Sequence, residues 1–228
     1  MKSILILCRG KSLENYNLLN KKFDCVAIVN DFRREVSQDV NLVNFLRSNH
    51  LIHYVCREYF SLPTVEMVNI LGIEYCQLNA LQGELDSGTN NVSRVLDHHN
   101  IPYKPMGEKI IPYSLDGIRQ TDVRPFPHLS IPTTGIVAVL DAASNKGFTD
   151  ITVLGIDFYE SEYLTVCSST NTKEAPKKSG IDKAPYMKSF LTDQLKKLPD
   201  TNFEFYTYSS FDPNLPNVKI INERLENE

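Results

Sequence analysis

Residues 151–159 read Ile151-Thr152-Val153-Leu154-Gly155-Ile156-Asp157-Phe158-Tyr159, and they follow Pro132-Thr133-Thr134-Gly135 and an apolar-periodic stretch that ends at Phe148. This is the order of a loop, a helix, a buried strand and a polar strand end. Small hydroxyl and glycine residues at a helix start can present backbone N–H groups to an anion. Asp157 and Tyr159 emerge where a parallel strand delivers its functional groups. The segment therefore sets an α/β reading and the place to look for an active site.

Residues 3–8, 25–29 and 51–56 are further apolar runs, separated by connections long enough for crossovers. Unalternating apolar runs of this kind predict a mostly parallel, Rossmann-like sheet with helices on both faces. Residues 63–71 have helical spacing behind Pro63, 73–78 read as a strand and 91–98 as a short helix. Downstream, Pro185 opens a helix to residue 197, residues 202–207 alternate as a strand, and 218–221 read as an edge strand before an acidic tail. Pro102, Pro105, Pro112, Pro125 and Pro127 preclude a long element between residues 100 and 130, which are expected to form a surface excursion. Residues 160–184, rich in Ser, Thr, Lys and Glu, are expected to form a flexible lid after the strand end.

The 228 residues are 42% hydrophobic and 23% charged, which fits one soluble domain over 1–228. A net charge of −4 offers no electrostatic footprint for nucleic acid. No run approaches the length of a membrane span, and the apolar start is too short for a signal peptide, so the expected location is cytoplasmic. Five cysteines without CxxC spacing read as reduced thiols, packed as small core residues. No Asp-x-Asp and no zinc-type His/Cys spacing occurs, and no metal or cofactor is expected.

The turn Arg9-Gly10-Lys11-Ser12 follows the first strand but matches neither GxGxxG nor GxxxxGK[ST]. Its physical content is backbone access at Gly10, a capping hydroxyl at Ser12 and positive charge at Arg9 and Lys11. Asn30-Asp31-Phe32 follows the second strand and is expected on the same sheet edge, where the Asn30 amide can read a ribose or base. Asn and Asp also terminate strands for purely local reasons.

Leu5-Ile6-Leu7-Cys8-Arg9-Gly10-Lys11-Ser12-Leu13, Val29-Asn30-Asp31-Phe32, Thr133-Thr134-Gly135 and Gly155-Ile156-Asp157-Phe158-Tyr159 together resemble the small bacterial sialyltransferases that use CMP-sialic acid. That family typically has GNGPS where this chain has Arg9-Gly10-Lys11-Ser12. The resemblance implies an inverting, metal-independent glycosyltransferase that moves sialic acid or a related sugar from a CMP donor to a glycan hydroxyl. Gly10 and Ser12 would lie near the CMP phosphate, Asn30 near the nucleotide, and Thr133, Thr134 and Gly135 along the cytidine and ribose. Asp157 and Phe158 would shape the pocket floor, and the Tyr159 and Tyr163 hydroxyls would help the phosphate depart. A glycan acceptor of a surface polymer would bring the protein to the inner face of the membrane, and self-association stays open.

The family takes the acceptor proton with a histidine after the lid, and this chain has none beyond His128. Asp182, in the corresponding neighbourhood, is the replacement considered, with His128, His98 and His99 as others. A CMP-sugar-binding protein without turnover, or a hydrolase using water, is the alternative reading.

Overall fold

Among the described residues every neighbouring strand pair is parallel, and eight strands form one sheet. The computed structural model describes residues 2–56, 61–79, 91–105, 133–165 and 184–222. The strands are β1 (Ser3–Leu7), β2 (Cys25–Val29), β3 (Leu51–Cys56), β4 (Tyr75–Asn79), β5 (Tyr103–Lys104), β6 (Asp150–Leu154), β7 (Asn202–Tyr206) and β8 (Val218–Ile221). Their order is β5-β4-β3-β2-β1-β6-β7-β8. The chain winds outward from β1 to β5, returns to place β6 beside β1, and winds outward again to β8. Such a reversal opens a crevice at the carboxyl ends of the two central strands, here β1 and β6.

The described helices are a 3-10 helix (Lys11–Leu18), α1 (Arg33–Gln38), α2 (Val40–Arg47), α3 (Ser61–Leu71), α4 (Asn91–His98), α5 (Thr134–Ser144) and α6 (Ala184–Leu195). Strand β1 shows why two covering layers form. Ile4 and Ile6 join a buried cluster with Ile136 and Val139 of α5 and Leu191 of α6. Leu5 and Leu7 point the other way, to Leu13, Val36, Leu42 and Met67. A strand apolar on both faces has no side to leave in water, and each fully buried aliphatic side chain contributes roughly 1.5–3 kcal/mol.

Helix α5 is buried from Thr134 to Ala142 and packs across β1, β2, β3 and β6. Its Asp141 is tolerated because Tyr54 Oη donates to it at 2.7 Å and Asn145 Nδ2 at 2.8 Å, with Lys146 Nζ at 3.4 Å. At its start, Thr133 makes no side-chain cap, leaving the first-turn N–H groups uncapped by it.

The structure shifts several expected boundaries. β1 ends at Leu7, β4 is displaced to Tyr75–Asn79, and α5 stops at Ser144. The expected excursion begins instead with strand β5, two residues between Pro102 and Pro105 at one sheet edge. β8 is the other edge, as expected. The rest of the excursion, residues 106–130, and most of the expected lid, residues 166–183, lie outside the described residues. Among the described residues no helix is long and apolar enough to cross a membrane.

Candidate active site

Beyond their last strand residues, the chains of β1 and β6 stay joined. Cys8 N–H donates to Leu154 O at 2.7 Å and Gly10 N–H to Gly155 O at 2.9 Å. A Cβ on Gly10 would lie 2.5 Å from Asp157 Oδ2 and 2.7 Å from the Gly155 carbonyl oxygen. One on Gly155 would lie 2.3 Å from the Cys8 carbonyl oxygen, and Gly155 has φ +80°. Glycine is required at both positions because two backbones meet at the switch point.

Asp157 then ties three loops together. It is 3% exposed and accepts from Ser12 Oγ at 2.6 Å, Ser12 N–H at 3.1 Å, Ser161 Oγ at 2.6 Å and Tyr208 N–H at 3.0 Å. These donors follow β1, β6 and β7, all at the carboxyl edge of the sheet. A carboxylate removed from water needs such compensation. Ser12 Oγ also accepts from Gly155 N–H at 3.0 Å, and Ser12 is fully buried. Its hydroxyl is thus engaged within the protein behind the turn.

The next two residues are bulky and left-handed, Phe158 at φ +49° and Tyr159 at φ +62°. Each such residue costs roughly 1–3 kcal/mol and persists where its surroundings over-determine it. Asp157 anchors one side of the turn. The Phe158 ring packs on Phe211, with centroids 4.9 Å apart. On the far side Glu160 accepts from Lys188 Nζ and from Ser210 N–H at 2.7 Å. Burial alone would raise the Glu160 carboxyl, but the Lys188 ammonium and Ser210 N–H outweigh it and hold it below the usual range.

The chain then folds back over the β1 turn. Lys11 N–H donates to Glu162 O and Leu164 N–H to Arg9 O, both at 3.0 Å, forming an antiparallel bridge between Gly10 and Tyr163. Arg9 Nε donates to Glu35 Oε1 at 2.9 Å, and Thr165 Oγ1 donates to the same oxygen at 2.6 Å. The guanidinium lies 5.5 Å from the Tyr163 ring centroid. Because Arg9 and Glu35 are both buried and form an ion pair, Arg9 brings little net positive charge to the cleft.

Asn30 completes the edge at φ +61°. Its N–H continues the ladder to Tyr54 O at 2.8 Å, and its carbonyl meets His53 Nε2 at 2.7 Å. His53 must donate there, so the proton sits on Nε2. Burial lowers its pKa to about 4, keeping the ring neutral near pH 7.

These turns enclose one cleft. From the β1 side it is lined by Arg9, Gly10 and Asn30. From the other side come Thr133, Thr134 and Gly135 at the start of α5, then Asp157, Phe158, Tyr159 and Tyr163. Ser12 and Lys11 do not line it: Ser12 lies behind the turn and Lys11 is exposed outside it. Asp182 and His128 lie outside the described residues. His98 and His99 close α4, which starts beyond the carboxyl end of β4 and returns to the amino end of β5, so they sit at the opposite sheet edge from the cleft.

Sequence reasoning missed Ser161, Glu162 and Met187 in the lining. Only nearness to Tyr159 and Tyr163 marked the first two. Cys8 also borders the cleft, but burial, reinforced by the Asp157 charge, pushes its thiol well above the usual range. It is a packing residue, not a nucleophile. Among the described residues no group of three or more His, Cys, Asp or Glu side chains is placed to hold a metal ion.

No protein-family model matches this chain, and no curated protein sequence does. Solved structures do. The sialyltransferase CST-II in complex with a trisaccharide acceptor and CMP superposes with a TM-score of 0.52 at 15% identity, covering 99% of this chain and 89% of that one. CstII from Campylobacter jejuni in complex with CMP-3FNeuAc gives 0.51 at 14% identity, over 96% of this chain and 86% of that one. Monomeric CstII gives 0.51 at 15% identity, over 96% and 88%. Across nearly its whole length, this chain has the fold of the CstII sialyltransferase.

Proposed function

We propose that this protein is an inverting, metal-independent glycosyltransferase that moves sialic acid or a related sugar from a CMP donor to a glycan hydroxyl. The observation that carries the reading is the meeting of Tyr159 and Tyr163 with Asn30 and the start of α5 in one cleft at the switch point. These residues come from three distant stretches of sequence, and their types suit one ligand. N–H groups that Thr133 does not cap, and threonine hydroxyls, at a helix start favour ribose and phosphate oxygens. An amide at Asn30 discriminates by donor and acceptor. Two phenols can donate to a departing phosphate oxygen, where charge builds up as the glycosidic bond breaks. A single phosphate leaving group places a smaller demand on a divalent ion than a diphosphate does.

The Arg9–Glu35 pair is consistent with this division of labour. With its charge offset, Arg9 supports the turn and the Tyr163 segment, leaving neutral donors to stabilise the leaving group. The test is CMP release from CMP-sialic acid in EDTA, with and without a panel of glycan acceptors. Acceptor-dependent release supports the transferase; equal release with and without acceptor identifies a hydrolase; CMP binding without release rejects catalysis on this donor. Tyr159→Phe is expected to lower kcat about 10²-fold with CMP affinity kept, and an equal loss of both would remove the leaving-group role.

A further inference from the structure

We infer that the Glu162 carboxylate is the base that takes the proton of the acceptor hydroxyl, an assignment that rests on the transfer reading above. Attack by a sugar hydroxyl requires somewhere for its proton to go, within hydrogen-bond reach of the reacting oxygen. The described ionisable side chains at the cleft narrow quickly. Asp157 is buried and holds four hydrogen bonds that maintain the loops. Arg9 is a permanent cation paired with Glu35. Cys8 is a buried thiol with a raised pKa, and the two tyrosines serve the leaving group.

Glu162 differs from all of these. It lines the cleft, is exposed, and lies next to Tyr163 and three residues beyond Tyr159. Its backbone is fixed, since its carbonyl accepts from Lys11 N–H at 3.0 Å. Among the described residues no hydrogen bond or ion pair occupies its carboxylate. An anchored backbone with an uncommitted carboxylate on the solvent side suits an acceptor that approaches from solvent while CMP lies deeper.

In the step, the acceptor oxygen forms a bond to the anomeric carbon and loses its proton to Glu162. The carbon–oxygen bond to the phosphate breaks, and its electron pair leaves on CMP. The sugar develops oxocarbenium character, so a carboxylate suffices where a stronger base would otherwise be needed. The product proton then passes from Glu162 to water.

The experiment compares the parent protein with Glu162→Gln, Glu162→Asp and Glu162→Ala, using CMP-sialic acid and related CMP-sugars with the acceptor panel, and measures CMP affinity alongside. Glu162→Gln is expected to lose about 10²–10⁴-fold in kcat for transfer, lose the acid limb of the kcat–pH profile, and keep CMP affinity. Glu162→Asp should recover part of the rate, and formate should partly rescue Glu162→Ala. A Glu162→Gln protein that transfers within twofold of the parent, or loses CMP affinity as much as rate, overturns the assignment alone. A parent protein that binds CMP but transfers nothing overturns the transfer reading and this assignment with it.

Discussion

Gly10 has no room for a methyl group: a Cβ would press on both the Asp157 carboxylate and the Gly155 carbonyl, at 2.5 and 2.7 Å. Neither can retreat cheaply, because one is backbone and the other is held by four donors. Gly10→Ala is therefore expected to cost about 1–3 kcal/mol by urea denaturation and to weaken CMP binding as the β1 and β6 turns separate. A change under about 0.5 kcal/mol would show that the turn yields freely. Asp157→Asn tests the same junction without changing its volume. An amide presents N–H groups where Ser12 and Ser161 already donate, leaving at least one buried donor without an acceptor. A loss of about 2–3 kcal/mol is expected. The loss should be non-additive with Ser12→Ala, since the two mutations remove one shared contact.

At the scale of elements, β3 reaches the site through His53, which supports Asn30 from beneath. The folded-state pKa of about 4 lies below the 6.5 of a free histidine, so between these values the unfolded chain binds more protons. Stability should fall as pH drops from about 6.5 to 4, by on the order of 3 kcal/mol at the lower end. His53→Gln keeps a donor toward Asn30 without titrating there. The stability difference between the two proteins should shrink as pH falls, and a constant offset would remove His53 as the source. Strands were legible where apolar residues dominate a short run: Cys25–Val29, Leu51–Cys56 and Val218–Ile221 match their expected limits. β5 was not, because two residues between prolines carry no period. The 3-10 helix Lys11–Leu18 was hidden for a different reason. Its start is set by Ser12 meeting Asp157, 145 residues away, and no local pattern encodes that contact. The same distance blindness hid the bonds of Ser12 to Asp157 and overlooked Glu162, whose place depends on the backbone pairing between Lys11 and the segment after β6.

For the whole molecule, the strand order makes the cleft a joint between two halves of one sheet. Arg9, Gly10 and Asn30 come from the half that winds from β1 to β5, while residues 133–163 come from the crossover and the half that begins with β6. A ligand that touches both halves in the folded state alone must stabilise them together. With CMP at 100 times its Kd the gain is about 2.7 kcal/mol, and at roughly 2–4 °C per kcal/mol for a chain of this size Tm should rise by about 5–10 °C. The rise should be the same in EDTA if phosphate is held by helix α5 and hydroxyl donors without a divalent ion. Hydrogen exchange gives the spatial form of this prediction: CMP should slow exchange at residues 8–12 and 30–31 as well as at 133–137 and 155–163. Protection confined to residues 133–163 would mean that CMP does not bridge the switch point, and the placement of Asn30 at the nucleotide would fall, whatever the protein's activity.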